Sequence, residues 1–379
     1  MKTPLRLQLF NFIASFLLTY PLATSVLAET SADPVSGKEV VIGAVIPLSG
    51  SQSLYGTEAA RLFELLSEGP GYSHNGTKFR LIVEDGKCGL GSAPITAAKK
   101  LVLMDKAKYL IAGCSGEVLQ IAPFAQQKKV VLFGYISGHR DVKHAGDYVF
   151  RTFYDIGTIG TITNDKLTEL GLSRLAIITE EVSFTLGIKD VLLDTLGKKV
   201  IAKEDYPLDA PDYRGIIARV KQRAPDSVFI NSAAPLAYTQ IYNELRRIGF
   251  QGPVFSYYQA GNREVLSSLG AAQDNVWYLS APIPVDSAAR YLEIRERYIK
   301  RFGPEINSEF QLAAAYNALQ SIIDSVAAVG DDPTKVKEYL TSYSAPGATG
   351  QIKYDANGDI MNVSLVLQKI EKGKTIQAQ

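Results

Sequence analysis

The sequence predicts an α/β protein built from two doubly wound parallel-sheet units in series. Three observations predict it. Short β-branched runs alternate with amphipathic stretches from residue 39 onward, the pattern of βαβ units on a parallel sheet. The alternation restarts after residue 151. No Pro-, Ser- or Gln-rich linker separates the halves, so the crossovers between them are short and direct.

In the first unit, residues 40–46 are a near-continuous apolar run, suited to a strand buried on both faces. A Ser/Gly loop follows, then a helical pattern with Leu62, Leu65 and Leu66 on one face. Strands are expected at 79–83, 109–112, 130–133 and 148–151, with helices at 93–104 and 117–127. In the second unit, strands are expected at 175–178, 200–204, 227–231, 254–256 and 276–279. Its helices are expected at 159–170, 186–196, 213–223, 236–248 and 263–269. A more helical stretch covers 288–302, 310–328 and 333–343. A closing hairpin pairs 351–354 with 363–368 through Asn357-Gly358.

The chain has 379 residues, 46% apolar and 21% charged, which is an ordinary globular composition. Lys+Arg is 40 and Asp+Glu is 39. That balance argues against nucleic acid as a partner, because neutralising phosphates needs a basic excess. Lys2 and Arg6 precede an interrupted apolar stretch ending in Val26-Leu27-Ala28, which reads as a secretory signal peptide (1–28) cut after Ala28. No cysteine follows the cut, so no lipid anchor is expected, and the product is exported to the periplasm. In an oxidising compartment Cys88 and Cys114 are expected to form a disulfide. Neither has a Cys or His neighbour at ligand spacing, so no metal and no cofactor is expected.

Doubly wound sheets bind ligands at the carboxyl ends of their strands. The loop after the first strand runs from Pro47 to Gly56 and carries Tyr55. The one after the third strand is Gly113-Cys114-Ser115-Gly116-Glu117, opening a helix whose N–H groups and positive dipole end suit a carboxylate. An N-cap serine serving only its own helix is the competing reading of Ser115, and a disulfide at Cys114, by stiffening this loop, favours the ligand role. After the fourth strand comes Gly134-Tyr135-Ile136-Ser137-Gly138-His139. The second unit offers Phe184 and Tyr257-Tyr258.

These features together resemble the type I periplasmic binding proteins of ABC importers, in the Leu/Ile/Val-binding family. The resemblance covers residues 39–371. It rests on Val41-Ile42-Gly43, Ser49-Gly50, Tyr55-Gly56, the Cys88/Cys114 pair and the Gly113–Glu117 loop with Ala122-Pro123. Residues 146–152 and 354–359 also match. It implies two lobes joined by three crossovers, with lobe 1 at 38–155 and 283–363 and lobe 2 at 156–282 and 364–379. It also implies closure on a small ligand and hand-over to a membrane permease–ATPase complex, the protein's one route to the membrane.

Carried over position by position, the resemblance places Tyr55 on the cleft wall and Ser115, with Gly116, on the ligand carboxylate. The turn after the fourth strand, Ile136, Ser137 and Gly138, assists. The aspartate that meets an α-ammonium falls on Ile156, with Asp155 adjacent. The second-lobe aromatic falls on Phe184, and the second-lobe acid falls near Tyr258. Tyr154, Tyr257 and Tyr258 offer ring faces to a cation instead. The ligand expected is therefore an amino acid or an aromatic or other organic acid, with the carboxylate end kept and the ammonium end weakened.

Two other classes compete. A soluble sensor passing its signal to a separate receptor uses the same fold. A hydrolase using Ser115 with His139 or His144 as base lacks the final Gly of the Gly-x-Ser-x-Gly elbow. Asp355-Ala356-Asn357-Gly358-Asp359 opens like a calcium loop, but its twelfth position is Val366, so a turn is expected.

Overall fold

The computed structural model describes residues 39–68, 73–74, 76–284 and 287–377. The expected signal peptide and its cut after Ala28 lie outside the described residues. The first lobe begins with β1 (Glu39–Ile46), α1 (Ser53–Ser67), β2 (Ser73–His74), β3 (Thr77–Asp85), α2 (Ala93–Lys99) and β4 (Tyr109–Cys114). It continues with α3 (Ser115–Lys128), β5 (Val131–Ile136) and β6 (Val149–Arg151). The sheet order is β2-β3-β1-β4-β5-β6. Every pairing is parallel except that of the two-residue β2. The central strands β4 and β5 are buried at all positions, which is why their sequences are unbroken apolar runs.

The second lobe holds α4 (Thr158–Glu169), β7 (Leu175–Glu180), α5 (Ser183–Leu196), β8 (Val200–Tyr206) and α6 (Arg214–Gln222). It goes on through β9 (Ser227–Asn231), α7 (Pro235–Arg247), β10 (Val254–Tyr257), α8 (Arg263–Leu269) and β11 (Val276–Ser280). The chain then returns. Helices α9 (Ala289–Phe302), α10 (Glu309–Val329) and α11 (Pro333–Leu340) pack on α1 and β5 of the first lobe. The small pair β12 (Ala345–Gly347) and β13 (Gly350–Ile352) follows. Finally β14 (Val366–Glu371) and β15 (Lys374–Gln377) rejoin the second sheet, ordered β15-β14-β11-β10-β9-β7-β8. The chain therefore crosses between lobes three times, after β6, after β11 and before β14.

The closing hairpin differs from the sequence expectation. Residues 350–352 pair with β12 across a two-residue loop, helped by Gly350 at φ +92. Strand β14 pairs with β11, whose free edge it completes, and with β15. The Asn357-Gly358 turn exists, at φ +81 for Gly358, but it closes a short local loop. That loop docks on β6: a Cβ at Gly358 would stand 2.2 Å from the Val149 carbonyl. Three helix bounds also differ. The helix expected over 93–104 is α-helical to Lys99 and winds as a π-helix over Lys100–Met104. Helix α3 begins at Ser115 and α5 at Ser183, so both candidate loops are first turns of helices.

Candidate functional site

Two chambers lie between the lobes, separated by aromatic rings. The smaller contains most of the sequence-derived candidates. Lobe 1 supplies Gln52, Tyr55, Cys88, Cys114, Ser115, Gly116 and Ile136. Lobe 2 supplies Val182, Ser183, Phe184, Ala233 and Tyr258. Its volume is about 10 Å³, room for about one water at most. The jaws are shut on each other here: a Cβ on Gly116 would stand 3.0 Å from the Ser183 hydroxyl, and one on Gly138 would stand 2.8 Å from the Phe184 ring.

The first turn of α3 is knitted to a neighbouring loop. Cys88 and Cys114 are joined by a disulfide, with their Cα atoms 5.1 Å apart. Lys87 and Cys88 take φ of +49 and +51. Gly89 brings its backbone so close to Gly116 that a Cβ would meet it at 2.8 Å. The Glu117 carboxylate accepts from the main-chain N–H groups of Cys88 (3.0 Å), Gly113 (2.9 Å) and Cys114 (2.8 Å). Burial pushes its pKa up to about 8, against the pull of those donors. The N–H groups of Ser115 and Gly116 precede the reach of the helix ladder and point toward the chamber end of the helix. The Ser115 hydroxyl accepts from His139 N–H at 3.2 Å, which leaves its proton for another acceptor.

Tyr55 stands in the first turn of α1. Gly56 lets that turn approach the preceding loop, where a Cβ would fall 1.9 Å from the Pro47 carbonyl. The Tyr55 hydroxyl reaches across to lobe 2. It donates to Gln259 Oε1 at 2.7 Å and accepts from Asn262 Nδ2 at 2.8 Å. Burial holds its pKa well above the usual value, so the hydroxyl stays neutral.

Several candidates are placed elsewhere. Asp155 does not line the small chamber. Its carboxylate binds the Arg151 guanidinium at 2.8 Å and the Gly157 N–H at 2.6 Å. Arg151 is fully buried and also grips Asp359 through two contacts of 2.5 and 2.6 Å. Ser137 is fully buried and donates to the Gly113 carbonyl at 2.6 Å, tying β5 to β4. Gly138 gives clearance to Phe184 and Ile156. Tyr154 belongs to the other chamber. Gln52, Ser183, Gln259 and Asn262 were not among the sequence candidates. Gln52, Ser183 and Gln259 lie in the loops that follow β1, β7 and β10, whereas Asn262 lies beyond its loop and carries no local signal.

No lining residue of the small chamber is acidic. In the second lobe, Glu180 at the end of β7 accepts from the Ser232 hydroxyl and from the N–H groups of Ala233 and Ala234, at 3.1, 2.8 and 3.1 Å. Burial raises its pKa. The ring wall consists of Phe153, Phe184 and Tyr258, with centroids 6.1 to 6.2 Å apart. Beyond it lies the larger chamber, about 600 Å³, floored by the crossover residues Phe153, Tyr154, Ala281 and Ile283 and walled by both lobes.

A family profile described as periplasmic binding protein matches residues 39–375. The chain belongs to the periplasmic binding protein family. It is 21% identical over 350 residues to an amino acid binding protein of Pseudomonas aeruginosa, covering 89% of this chain and 91% of that one. It superposes on a leucine-binding protein of Thermotoga maritima with a TM-score of 0.78 at 20% identity, over 90% of this chain and 98% of that one. A solute-binding protein of an ABC transporter from R. palustris, in complex with benzoate, gives a TM-score of 0.78 at 18% identity. That match covers 89% of this chain and 95% of the other. Shared architecture at these identities establishes the type I fold of two lobes, parallel sheets and flanking helices.

Proposed function

We propose that this protein is the extracytoplasmic solute-binding component of an ABC importer. It captures a small organic acid, aromatic rather than α-amino, between Ser115-Gly116 and the Phe184/Tyr258 wall. One observation supports the choice of ligand: the small chamber meets the first turn of α3 with the Ser115 hydroxyl, and among the described residues none of its lining side chains is acidic. A carboxylate gains the Ser115 hydroxyl, helix N–H groups and the positive end of α3. An ammonium brought there loses its water and gains no anion, because Glu117 and Glu180 are spent on main-chain N–H groups. Relatives whose names mention amino acids and benzoate are compatible with a carboxylate as the common element.

The mechanism is differential contact. The lobes part about the crossovers, and closure on the ligand, stopping wider than the shut contact seen here because a chamber of about 10 Å³ cannot hold a benzoate, brings Phe184, Ser183 and Tyr258 onto it. No bond is made or broken. The permease–ATPase complex recognises the closed outline. Titration calorimetry on protein unfolded and refolded to strip ligand tests the reading with benzoate and with leucine. Benzoate should bind, and Ser115→Ala should weaken it by about 10- to 150-fold, the equivalent of ~1.5–3 kcal/mol for a hydrogen bond to a charged group. Submicromolar leucine binding with no benzoate binding would overturn it.

A further inference from the structure

One end of the first lobe carries more positive charge than its own contacts use. Lys106, Lys108, Lys128 and Lys129 line a concavity of about 470 Å³, together with Asp331 and Asp332. Lys99 and Lys100 precede it on the same helical stretch, and each of these lysines is exposed. The acids of the region are already engaged. Glu84 pairs with Lys100. Asp331 accepts from Lys108 at 2.7 Å and from the Tyr109 hydroxyl at 3.2 Å. Asp332 accepts from the N–H groups of Thr334 and Lys335, at 2.9 and 3.3 Å. Among the described residues, Lys99, Lys128 and Lys129 have no hydrogen-bond or ion-pair partner. The whole chain is balanced, with 40 basic and 39 acidic side chains, so the excess is local.

Two apolar side chains project beside these lysines. Leu103 and Met104 are 48% and 73% exposed. Leu101 is fully buried, and straight α-helical winding puts positions three apart on one face, so Met104 would follow it inward. The π-turn changes that. The Asp105 N–H donates to the Lys100 carbonyl five residues back, at 3.2 Å, and the wider turn brings Leu103 and Met104 out to solvent. Each stands four residues after a lysine, Lys99 or Lys100. Attraction to the helix ends is served by Lys99 and Lys128, in the last turns of α2 and α3. It gives no reason for the apolar pair. A bilayer with anionic headgroups supplies both needs, phosphates for the ammonium groups and an apolar layer one side chain below them. An acidic protein face supplies the charge without that layer.

We propose that this end of lobe 1 is a peripheral membrane-docking surface for an anionic phospholipid bilayer, with Leu103 and Met104 entering the acyl boundary and the lysines holding headgroup phosphates. It is a route to the membrane besides the permease. Lys108 and Val130 lead into β4 and β5, whereas Ser115 follows β4, so the patch and the ligand loops lie at opposite ends of the sheet. Docking therefore leaves the cleft open to solvent.

Co-sedimentation of the exported protein with vesicles tests it, comparing equimolar phosphatidylglycerol and phosphatidylcholine with phosphatidylcholine alone. The wild-type protein should pellet with the anionic vesicles and not with the neutral ones, and raised salt should release it. Lys128→Gln combined with Lys129→Gln should weaken partition by about 25-fold, at about fivefold per lysine. Met104→Ser should weaken it by about fivefold or more. These side chains are exposed, so an unchanged melting temperature checks the fold of both variants. Trp277, the chain's one tryptophan, is buried, so Met104→Trp adds a separate reporter whose emission should shift to the blue with anionic vesicles. No pelleting with anionic vesicles, the result expected of an acidic protein partner, would overturn the proposal. So would pelleting unchanged in either variant, or an unshifted emission from Met104→Trp.

Discussion

Tyr55→Phe removes one oxygen atom from the contact between the lobes. The hydroxyl makes two buried bonds, at 2.7 and 2.8 Å, and both partners, Gln259 and Asn262, belong to the opposite lobe. In the open form water replaces them, so their whole net value falls on closure. At ~0.5–1.5 kcal/mol per neutral bond, the pair contributes ~1–3 kcal/mol. That corresponds to a loss of about 5- to 150-fold in the closed-to-open ratio. Gln259 Oε1 keeps its bond from Asn262 at 2.9 Å, which favours the lower part of that range. The ring itself remains, edge-on to Tyr258 at 6.4 Å, so packing is preserved. Small-angle scattering of the ligand-free variant should give a larger radius of gyration than wild type. Ligand affinity should fall by the same factor as the closed population. An unchanged scattering curve together with unchanged affinity would refute the latch. The Tyr55 hydroxyl titrates far above neutrality, so the effect should be the same at pH 6 and pH 8.

Replacing both Cys88 and Cys114 by Ser opens a 26-residue separation and should lower stability by about 3 kcal/mol in the chain-entropy model, read as a drop in urea midpoint. Arg151→Ala leaves Asp359 and Asp155 facing an emptied pocket and should cost about 3–5 kcal/mol, seen as a large fall in melting temperature. Stability should decline from pH 5.5 to pH 8.5. Glu58 and Glu117 have folded pKa values near 7 and 8, above the 4.5 of the free side chain. The folded state thus holds protons that the unfolded state has released, and their contribution, complete below pH 4.5, is lost through 7 to 8. His139, lowered by burial, acts oppositely below about pH 6.5. Glu58→Gln should flatten the alkaline decline in urea midpoint, and a slope identical to wild type would exclude Glu58 as its source.

The parallel strands were legible because each carries its own evidence. A strand covered on both faces must be apolar throughout, so β4 and β5 announce themselves within six residues each. The terminal elements were not, because their pairing is decided at a distance. Nothing in residues 363–371 says that the free edge of β11 is the partner waiting for them. An Asn-Gly turn reports local backbone geometry and is silent on which strands it joins.

The small chamber was legible to the extent that strand-end position determines it. Tyr55, Ser115, Gly116, Ile136, Phe184 and Tyr258 all reach its wall from first turns or strand ends. Position along the chain does not fix where a side chain spends its charge. Asp155 sits beside the place where an ammonium partner is sought, yet a buried guanidinium four residues earlier claims it, and Asp359 is drawn to the same cation from 208 residues away. A fully buried arginine demands compensation before any ligand is considered, because leaving it unpaired costs several kcal/mol. Asp155 therefore serves, with Asp359, to neutralise Arg151 at the first crossover, and it does not line the small chamber. On the proposed reading, a weak ammonium end would follow from that prior claim as much as from the apolar Ile156.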